Sequence, residues 1–273
     1  MTTPSELPKP APPASDDHDC CIHELLAAQA ARTPDAIAVV CGRDELSYRA
    51  LDQQATALAH ALRVQGVAAE SLLALCLPRS LDLVVALLAV LKAGAAYLPL
   101  DPTHPPARLA AILADAQPQL ILSTNAVAHH LPAGNLPVLD LDQPLPRVEP
   151  GPLPTVDPDQ LAYVIATSGS TGTPKGVQIQ HHSLAAHSVA VARHYGLQRD
   201  DRVLQFASLS FDVAAEELFP TWIAGATVVL FPQRDTVSLL EFLQEVALDR
   251  ITVLNLPASY WHSWIVELAH AGA

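Results

Sequence analysis

Short apolar runs alternate along the chain with longer stretches in which apolar residues recur every three or four positions. In residues 48–62, Leu51, Ala55, Leu58 and Leu62 fall on one helical face, and Gly66 is a suitable terminator. The helical period predicts helices at 22–32, 48–65, 81–91, 106–116, 182–195, 213–224, 237–248 and 258–269. The short runs predict strands at 37–40, 46–48, 72–77, 120–123, 161–166, 177–180, 203–206, 227–231 and 251–254, with a further turn and strand within 93–100.

This alternation predicts an α/β fold of layered βα units, with largely parallel sheets flanked by helices. Two proline-rich stretches interrupt it. Residues 1–19 carry five prolines and an acidic cluster, which predicts a linker or disordered leader before a folded part at 20–273. Residues 132–158 are predicted to be a long loop or a seam between two βα layers. Ligands of such folds bind at the carboxyl ends of strands.

The composition narrows the choice of partners. A net charge of −13, from 15 basic and 28 acidic residues, argues against nucleic acid or an anionic membrane as the main partner. The longest apolar run, 83–91, is far shorter than the roughly 20 residues that span a bilayer. The first residues lack the basic and apolar regions of a signal peptide. We therefore expect a cytoplasmic protein with no membrane segment.

Cysteines and histidines give no metal signature in the sequence. The four cysteines have no C-x-x-C spacing, so reduced thiols are expected. His181, His182 and His187 form the one histidine cluster, and no cysteine or glutamate near them completes a metal-ligand spacing. These histidines are predicted to be solvated or half-buried on a helix.

The first stretch with chemical potential is residues 167–176, TSGSTGTPKG, between the predicted strands 161–166 and 177–180. Glycines let the backbone approach an anion, hydroxyl and N–H groups donate to it, and Lys175 adds positive charge. The spacing is not that of a Walker loop, because Gly176 follows the lysine. The alternative is that residues 167–176 form a simple surface turn, since surface turns have a similar composition. The ten ordered positions between two strands favour a phosphate cradle.

The second stretch is residues 210–219, SFDVAAEELF, where Asp212 precedes a predicted helix after a strand and a short loop. Aspartate is a favoured N-cap, and Glu216 and Glu217 suit the first helical turn. Alternatively, Asp212 directs its carboxylate into a cleft to pair with an ammonium group. Composition does not decide between the two interpretations.

Four segments in order resemble the amino-acid adenylation domains of nonribosomal peptide synthetases, within the adenylate-forming superfamily. They are residues 46–51 (LSYRAL), 91–101 (LKAGAAYLPLD), 161–176 (LAYVIATSGSTGTPKG) and Phe211-Asp212 with the following helix. The resemblance runs from about Ile22 to the end of the sequence. One departure is Ala166, where the family usually has an aromatic residue, and we expect a local packing change there.

The resemblance implies roles for named residues. The ATP β- and γ-phosphates and pyrophosphate would be bound by Thr167, Ser168, Gly169, Ser170, Thr171, Gly172 and Lys175. Asp212 would bind the substrate α-ammonium group, and Val213 and Glu216 would line the side-chain pocket. A buried charge at Glu216 would favour a basic substrate. The alternative, that Glu216 lies on the helix surface and does not report on the substrate, stays open.

The same resemblance implies ATP and Mg²⁺ as cofactors, and an amino acid as the substrate that becomes aminoacyl-AMP. The acyl group would pass to phosphopantetheine on a peptidyl carrier protein, within the rest of a synthetase. A small MbtH-like protein is a further partner of this family.

Later family signatures have no counterpart in the sequence, including those for adenine and ribose and the catalytic lysine. The resemblance therefore implies a truncated N-terminal subdomain that would not adenylate alone, with no catalytic residue and no complete metal site. Three interpretations stay open: an amino-acid adenylation fragment, an adenylate-forming ligase for another carboxylate, and a non-catalytic remnant that binds nucleotide or partners.

Overall fold

The computed structural model describes residues 20–132, 134–144, 151–168, 174–231 and 238–271. The helices are α1 Ile22–Arg32, α2 Tyr48–Val64, α3 Leu81–Lys92, α4 Pro106–Ala116, α5 Asn125–Ala128, α6 His181–Tyr195, α7 Val213–Ala224, α8 Leu239–Leu248 and α9 Ala258–Ala271. The strands are β1 Ile37–Cys41, β2 Asp44–Ser47, β3 Leu72–Cys76, β4 Ala96–Pro99, β5 Leu120–Ser123, β6 Val138–Asp140, β7 Leu161–Ser168, β8 Pro174–Gln180, β9 Arg202–Gln205 and β10 Thr227–Leu230.

The strands form two sheets, and the predicted fold class is confirmed. One sheet has the order β2-β1-β10-β9 and the other the order β6-β5-β3-β4-β7-β8. Neighbouring strands are parallel except in the hairpins β1–β2 and β7–β8. Helices connect most of the parallel strands, as the right-handed βαβ unit requires.

One apolar core joins the two sheets. Its buried side chains come from both sheets and from α1, α2, α3, α6 and α7. Residues 83–92 of α3 are all buried, so this helix lies inside the core. The charge that ends α3 is paired, because Lys92 Nζ lies 2.5 Å from an Asp52 carboxylate oxygen and donates to Thr56 Oγ1 at 2.8 Å. Such pairing removes much of the penalty of burying an ammonium group.

Aromatic side chains with polar tips tie α7 to the core. Trp222 of α7 is 1% exposed, and its Nε1 donates to the Ala38 carbonyl of β1 at 3.0 Å. The Tyr48 hydroxyl donates to the Ala226 carbonyl, just beyond α7, at 2.7 Å. Both tips thus satisfy backbone carbonyls that would otherwise be buried without a donor.

Several predicted elements differ in extent from the observed ones. The return strand predicted at 46–48 is β2 Asp44–Ser47, because Ser47 caps α2 by accepting from the Ala50 N–H at 3.2 Å. The strand predicted at 251–254 is wrong: only an isolated bridge forms there, between Val253 and Val203. β7 and β8 extend to Ser168 and from Pro174, so they take in part of the stretch predicted as a loop.

The two proline-rich stretches have different outcomes. Residues 132–158 include β6, and the strands β5 before them and β7 after them lie in one sheet. The described part of this stretch is therefore a long connection within a sheet. The leader predicted at 1–19 lies outside the described residues. Among the helices that the structure describes, none has the length and apolar character of a membrane span.

Candidate functional site

The ends of the predicted phosphate loop are held by the β7–β8 hairpin. Thr167 pairs with Lys175, and Ser168 pairs with Pro174. The Thr167 hydroxyl donates to the Lys175 carbonyl at 3.2 Å, while both residues are exposed at the end of the sheet. The remaining predicted contacts, Gly169, Ser170, Thr171 and Gly172, lie outside the described residues. The described geometry thus brings the first and last members of the loop side by side.

Gly176, the last residue of the loop motif, has a packing role in the hairpin. It pairs with Ala166 on β7. A Cβ added at Gly176 would lie 2.9 Å from Val164 Cγ1, closer than a Cβ contact allows. The absence of a side chain therefore lets β8 lie against β7 immediately after Lys175.

Asp212 lies at the N-terminus of α7. Its backbone is in the right-handed helical region, and its Oδ1 accepts from the Val213 N–H at 3.0 Å. The residue is exposed, and Val213 next to it is half-buried. The carboxylate thus accepts from the first N–H of α7 instead of the second or third, as a standard cap would, and its negative charge lies exposed at the positive end of the helix dipole.

Glu216 lies one turn further along α7, and it has a partner on α6. Its Oε1 is 3.0 Å from His187 Nε2, and its side chain is 29% exposed. The sequence placed His187 in a histidine cluster and gave no sign of this contact. The argument for a basic substrate assumed an unpaired charge at Glu216, and the His187 contact removes that assumption.

Tyr163 of β7 is influenced by the acidic residues of α7. Burial, with a smaller contribution from the negative charges of Asp212 and Glu216, raises the pKa of Tyr163 to about 12. Tyr163 is 6% exposed and lies on the strand that leads directly to Thr167. The charges of the predicted substrate residues Asp212 and Glu216 therefore act on the strand that leads into the predicted phosphate loop.

Glu217 has a different role from its neighbour, because it is only 1% exposed. Its carboxylate accepts from the N–H groups of Phe206 and Ala207, each at 3.0 Å, and from the Gln205 side-chain amide at 3.0 Å. Burial raises the pKa of Glu217 to about 7, and these hydrogen bonds and Arg79 oppose part of that rise. The buried acid thus holds the segment that leads from β9 towards Asp212.

Arg79 holds the same segment from the other sheet. It follows β3, and its guanidinium donates to the carbonyls of Phe206 at 2.8 Å, Ala207 at 3.1 Å and Phe231 at 2.8 Å. One side chain therefore joins the carboxyl ends of strands in both sheets. Arg79 was not predicted from the sequence, since no local pattern distinguishes it from a surface arginine.

A small cavity lies where the carboxyl ends of the two sheets meet. Its volume is about 40 Å³, and its lining includes Leu75, Arg79, Pro99, Asp101 and Ser208. The Ser208 hydroxyl donates to Asp101 at 2.8 Å, which links the end of β4 to the segment before α7. This cavity lies at the carboxyl ends of parallel strands, where ligands of such folds bind, but none of the predicted site residues lines it.

Comparison with known proteins gives a consistent result. The family of AMP-binding enzymes matches residues 26–273. The isonitrile lipopeptide synthase of Streptomyces coeruleorubidus is 45% identical over 254 residues, which cover 90% of this chain and 17% of that protein.

Two solved structures have the same fold. The Klebsiella oxytoca NpsA N-terminal subdomain in complex with 3-hydroxybenzoyl-AMSN has a TM-score of 0.80 at 26% identity, over 90% of this chain and 62% of that chain. The AMPPNP-bound form of the nonribosomal peptide synthetase FmoA3 has a TM-score of 0.80 at 32% identity, over 88% of this chain and 26% of that chain. The chain thus spans less than two thirds of each of these proteins.

Proposed function

The chain belongs to the AMP-binding enzyme family, and from this premise we propose that it supplies part of an adenylation domain that activates an α-amino acid for nonribosomal peptide synthesis. The observation that carries the proposal is the position of Asp212. Its carboxylate is exposed at the start of α7, and its charge acts on Tyr163 of the strand that leads into the phosphate loop. An anion-binding loop is suited to the phosphates of ATP, and an exposed carboxylate is suited to the ammonium group of an amino acid.

In this proposal the substrate carboxylate attacks the α-phosphorus of ATP. A bond forms between the carboxylate oxygen and the α-phosphorus, the bond to the bridging oxygen breaks, and pyrophosphate leaves. Thr167, Ser168 and Lys175, with the glycines and hydroxyls between them, hold the β- and γ-phosphates and stabilise the charge on the departing group. A phosphopantetheine thiol on a peptidyl carrier protein then loses its proton and attacks the aminoacyl carbonyl; a thioester bond forms, the acyl–oxygen bond to AMP breaks, and AMP leaves.

Mg²⁺ is the cofactor that this chemistry implies, since it screens the phosphates. Among the described residues, the one cluster of three side chains with metal-ligating atoms consists of a cysteine and two histidines. Mg²⁺ prefers oxygen ligands. The described part of the chain therefore fits no Mg²⁺ site, and we assign no residue to that ion.

The substrate side chain is left open in this proposal. Val213 and Glu216 line the pocket, but Glu216 already lies 3.0 Å from His187. A neutral substrate side chain leaves that pair intact, whereas a basic one competes with the imidazole for the carboxylate. The charge of Glu216 by itself therefore does not select a basic amino acid.

A second candidate function is activation of an aryl carboxylate. The observation that favours it is the fold similarity to the NpsA subdomain bound to 3-hydroxybenzoyl-AMSN. An aryl acid has no α-ammonium group, so Asp212 would then have no ionic partner on the substrate. The two candidates therefore differ in what they expect of a variant at Asp212.

The test is substrate-dependent ATP–pyrophosphate exchange by the full-length gene product that contains this segment. Asp212→Ala is expected to lower exchange with amino acids by about 30-fold or more, since loss of one partner of a desolvated ion pair costs about 2–5 kcal/mol. Asp200→Ala, at an exposed residue, is the matched control. Amino-acid exchange that survives Asp212→Ala, or exchange with aryl acids alone, would contradict the proposal. The 273-residue chain by itself is expected to show no exchange.

A further inference from the structure

Three side chains with metal-ligating atoms converge where α1 and α6 begin. Cys21 is the N-cap of α1, His23 lies in its first turn, and His181 is the first residue of α6. The cysteine sulfur and one nitrogen from each imidazole all lie within 4.8 Å of one another. In the sequence, His181 is grouped only with its neighbours His182 and His187. The two completing residues come from the other end of the described chain.

The cluster is enclosed, and its imidazoles lack protein partners. Cys21 and His181 are both 0% exposed. Both ring nitrogens of His181 and the Nδ1 of His23 are buried without a hydrogen-bond partner among the described residues. A buried polar atom with no partner costs about 1–3 kcal/mol, so three within one cluster are unusual for a purely structural core. The two rings lie edge to face, with their centroids 5.3 Å apart.

From these contacts we propose that Cys21, His23 and His181 form a binding site for one transition-metal ion of soft or borderline character, with Zn²⁺ as the expected ion. One thiolate and two imidazoles are a donor set that suits Zn²⁺ and does not suit Mg²⁺ or Ca²⁺. Donors on a tetrahedral zinc are separated by about 3.3–3.5 Å, from zinc–sulfur and zinc–nitrogen bonds of about 2.3 and 2.0 Å. The present separations of at most 4.8 Å would have to shorten by no more than about 1.5 Å to match this geometry.

Neighbouring charges are compatible with a bound cation. The Glu24 carboxylate accepts from the Cys21 N–H at 3.2 Å, so a negative group lies beside the sulfur. The nearby ammonium of Lys92 is already paired with Asp52. The Cys21 Sγ now donates to the Val156 carbonyl at 3.3 Å, and metal binding would replace this weak contact with a thiolate–metal bond.

The ion would have a structural role. It would join the start of α1 to the start of α6, and α6 follows directly on β8 of the hairpin that carries Lys175. The three ligands are brought together only in the folded chain. Because the ion would therefore bind the folded and not the unfolded state, its binding would raise the free energy of unfolding. The site is separate from the nucleotide and amino-acid residues, so its test does not depend on catalysis.

The experiment titrates the untagged, chelator-treated chain with Co²⁺ as a spectroscopic probe and with Zn²⁺. We expect one equivalent of Co²⁺ to give a thiolate-to-cobalt charge-transfer band, and Zn²⁺ to displace it and raise the melting temperature. Cys21→Ser should abolish the band and weaken Zn²⁺ binding at least about tenfold, since even outer partners of metal ligands contribute that much. Cys76→Ser, at another buried cysteine, should leave both unchanged.

The wild-type result alone can overturn the proposal. A chain that shows no charge-transfer band and no Zn²⁺-dependent rise in melting temperature contains no such site. A band that persists in Cys21→Ser, or that disappears in Cys76→Ser, assigns the metal to another thiol. His181→Gln provides a second variant in case Cys21→Ser fails to fold. Loss of Zn²⁺ affinity in a folded His181→Gln chain would support the site. Unchanged affinity in that chain would refute it.

Discussion

Glu217 is the buried acid that holds the segment between β9 and α7, and Glu217→Gln tests whether its charge is costly there. The glutamine oxygen can take the place of Oε2, which accepts from Gln205, Phe206 and Ala207. The new amide group then replaces Oε1, whose one contact is with the Ala207 N–H at 3.2 Å. The variant therefore resembles the protonated acid in shape and in hydrogen bonding.

The magnitude follows from the pKa of Glu217. Burial raises this pKa from 4.5 to about 7, so the folded chain holds the proton more tightly than the unfolded chain. Its stabilising contribution is complete below pH 4.5 and is lost as the pH rises through 7. At about 1.4 kcal/mol per pKa unit, wild type should lose about 2–3 kcal/mol relative to Glu217→Gln between pH 5 and pH 8.

Urea denaturation, followed by tryptophan fluorescence at pH 5, 6, 7 and 8, measures this difference. Glu45→Gln, at an exposed residue of β2, controls for the loss of one negative charge. The expected curve shows the stability of wild type relative to Glu217→Gln falling with pH and levelling off above pH 7. A difference that is constant from pH 5 to pH 8, or that grows in favour of wild type, would refute the reasoning that burial dominates over the hydrogen bonds.

Three further substitutions test packing and hydrogen bonding by urea denaturation. Gly176→Ala should destabilise the chain by about 1–3 kcal/mol, because its Cβ would lie 2.9 Å from Val164 Cγ1, whereas Gly151→Ala meets no atom within 4 Å and should be neutral. Arg79→Lys should cost about 1–3 kcal/mol, because an ammonium group cannot reach all three carbonyls of the guanidinium fork; an unchanged stability would contradict this role. Tyr48→Phe should cost about 1 kcal/mol through the lost 2.7 Å hydrogen bond, and a stabilised variant would contradict it.

The sequence predicted elements well where the signals are local. The helix predicted at 106–116 begins at Pro106 and ends before Gln117, which adopts a positive φ of 46°. Proline in the first turn and a left-handed residue after the last turn are local features. The run at 251–254 is equally β-like, yet only Val253 forms a bridge. Pairing depends on the neighbour that the sheet order supplies, which a local pattern does not contain.

The motifs indicated which residues belong to the candidate site, but not the contacts that those residues make. Glu216 and Glu217 are adjacent and chemically alike, and the sequence assigned both to the first turn of a helix. A helix turns by about 100° per residue. One carboxylate therefore points to His187 on α6 and the other into the core, where it meets the segment after β9. Their different environments come from tertiary packing and not from residue type.

The position of Asp212 is fixed before any substrate binds. The segment that precedes it is held from one side by Glu217 and from the other by Arg79, and Ser208 within it donates to Asp101 of the second sheet. Under the proposed function, binding of an ammonium group at Asp212 would not have to order this backbone, which would lower its entropic cost. Glu217→Gln removes the charge of this side chain but keeps the hydrogen bonds made by Oε2, so the variant tests whether the charge helps to hold the proposed substrate anchor. If Glu217→Gln left the affinity for the amino acid unchanged while altering stability as expected, the hydrogen bonds to this segment would be sufficient to position Asp212 without that charge.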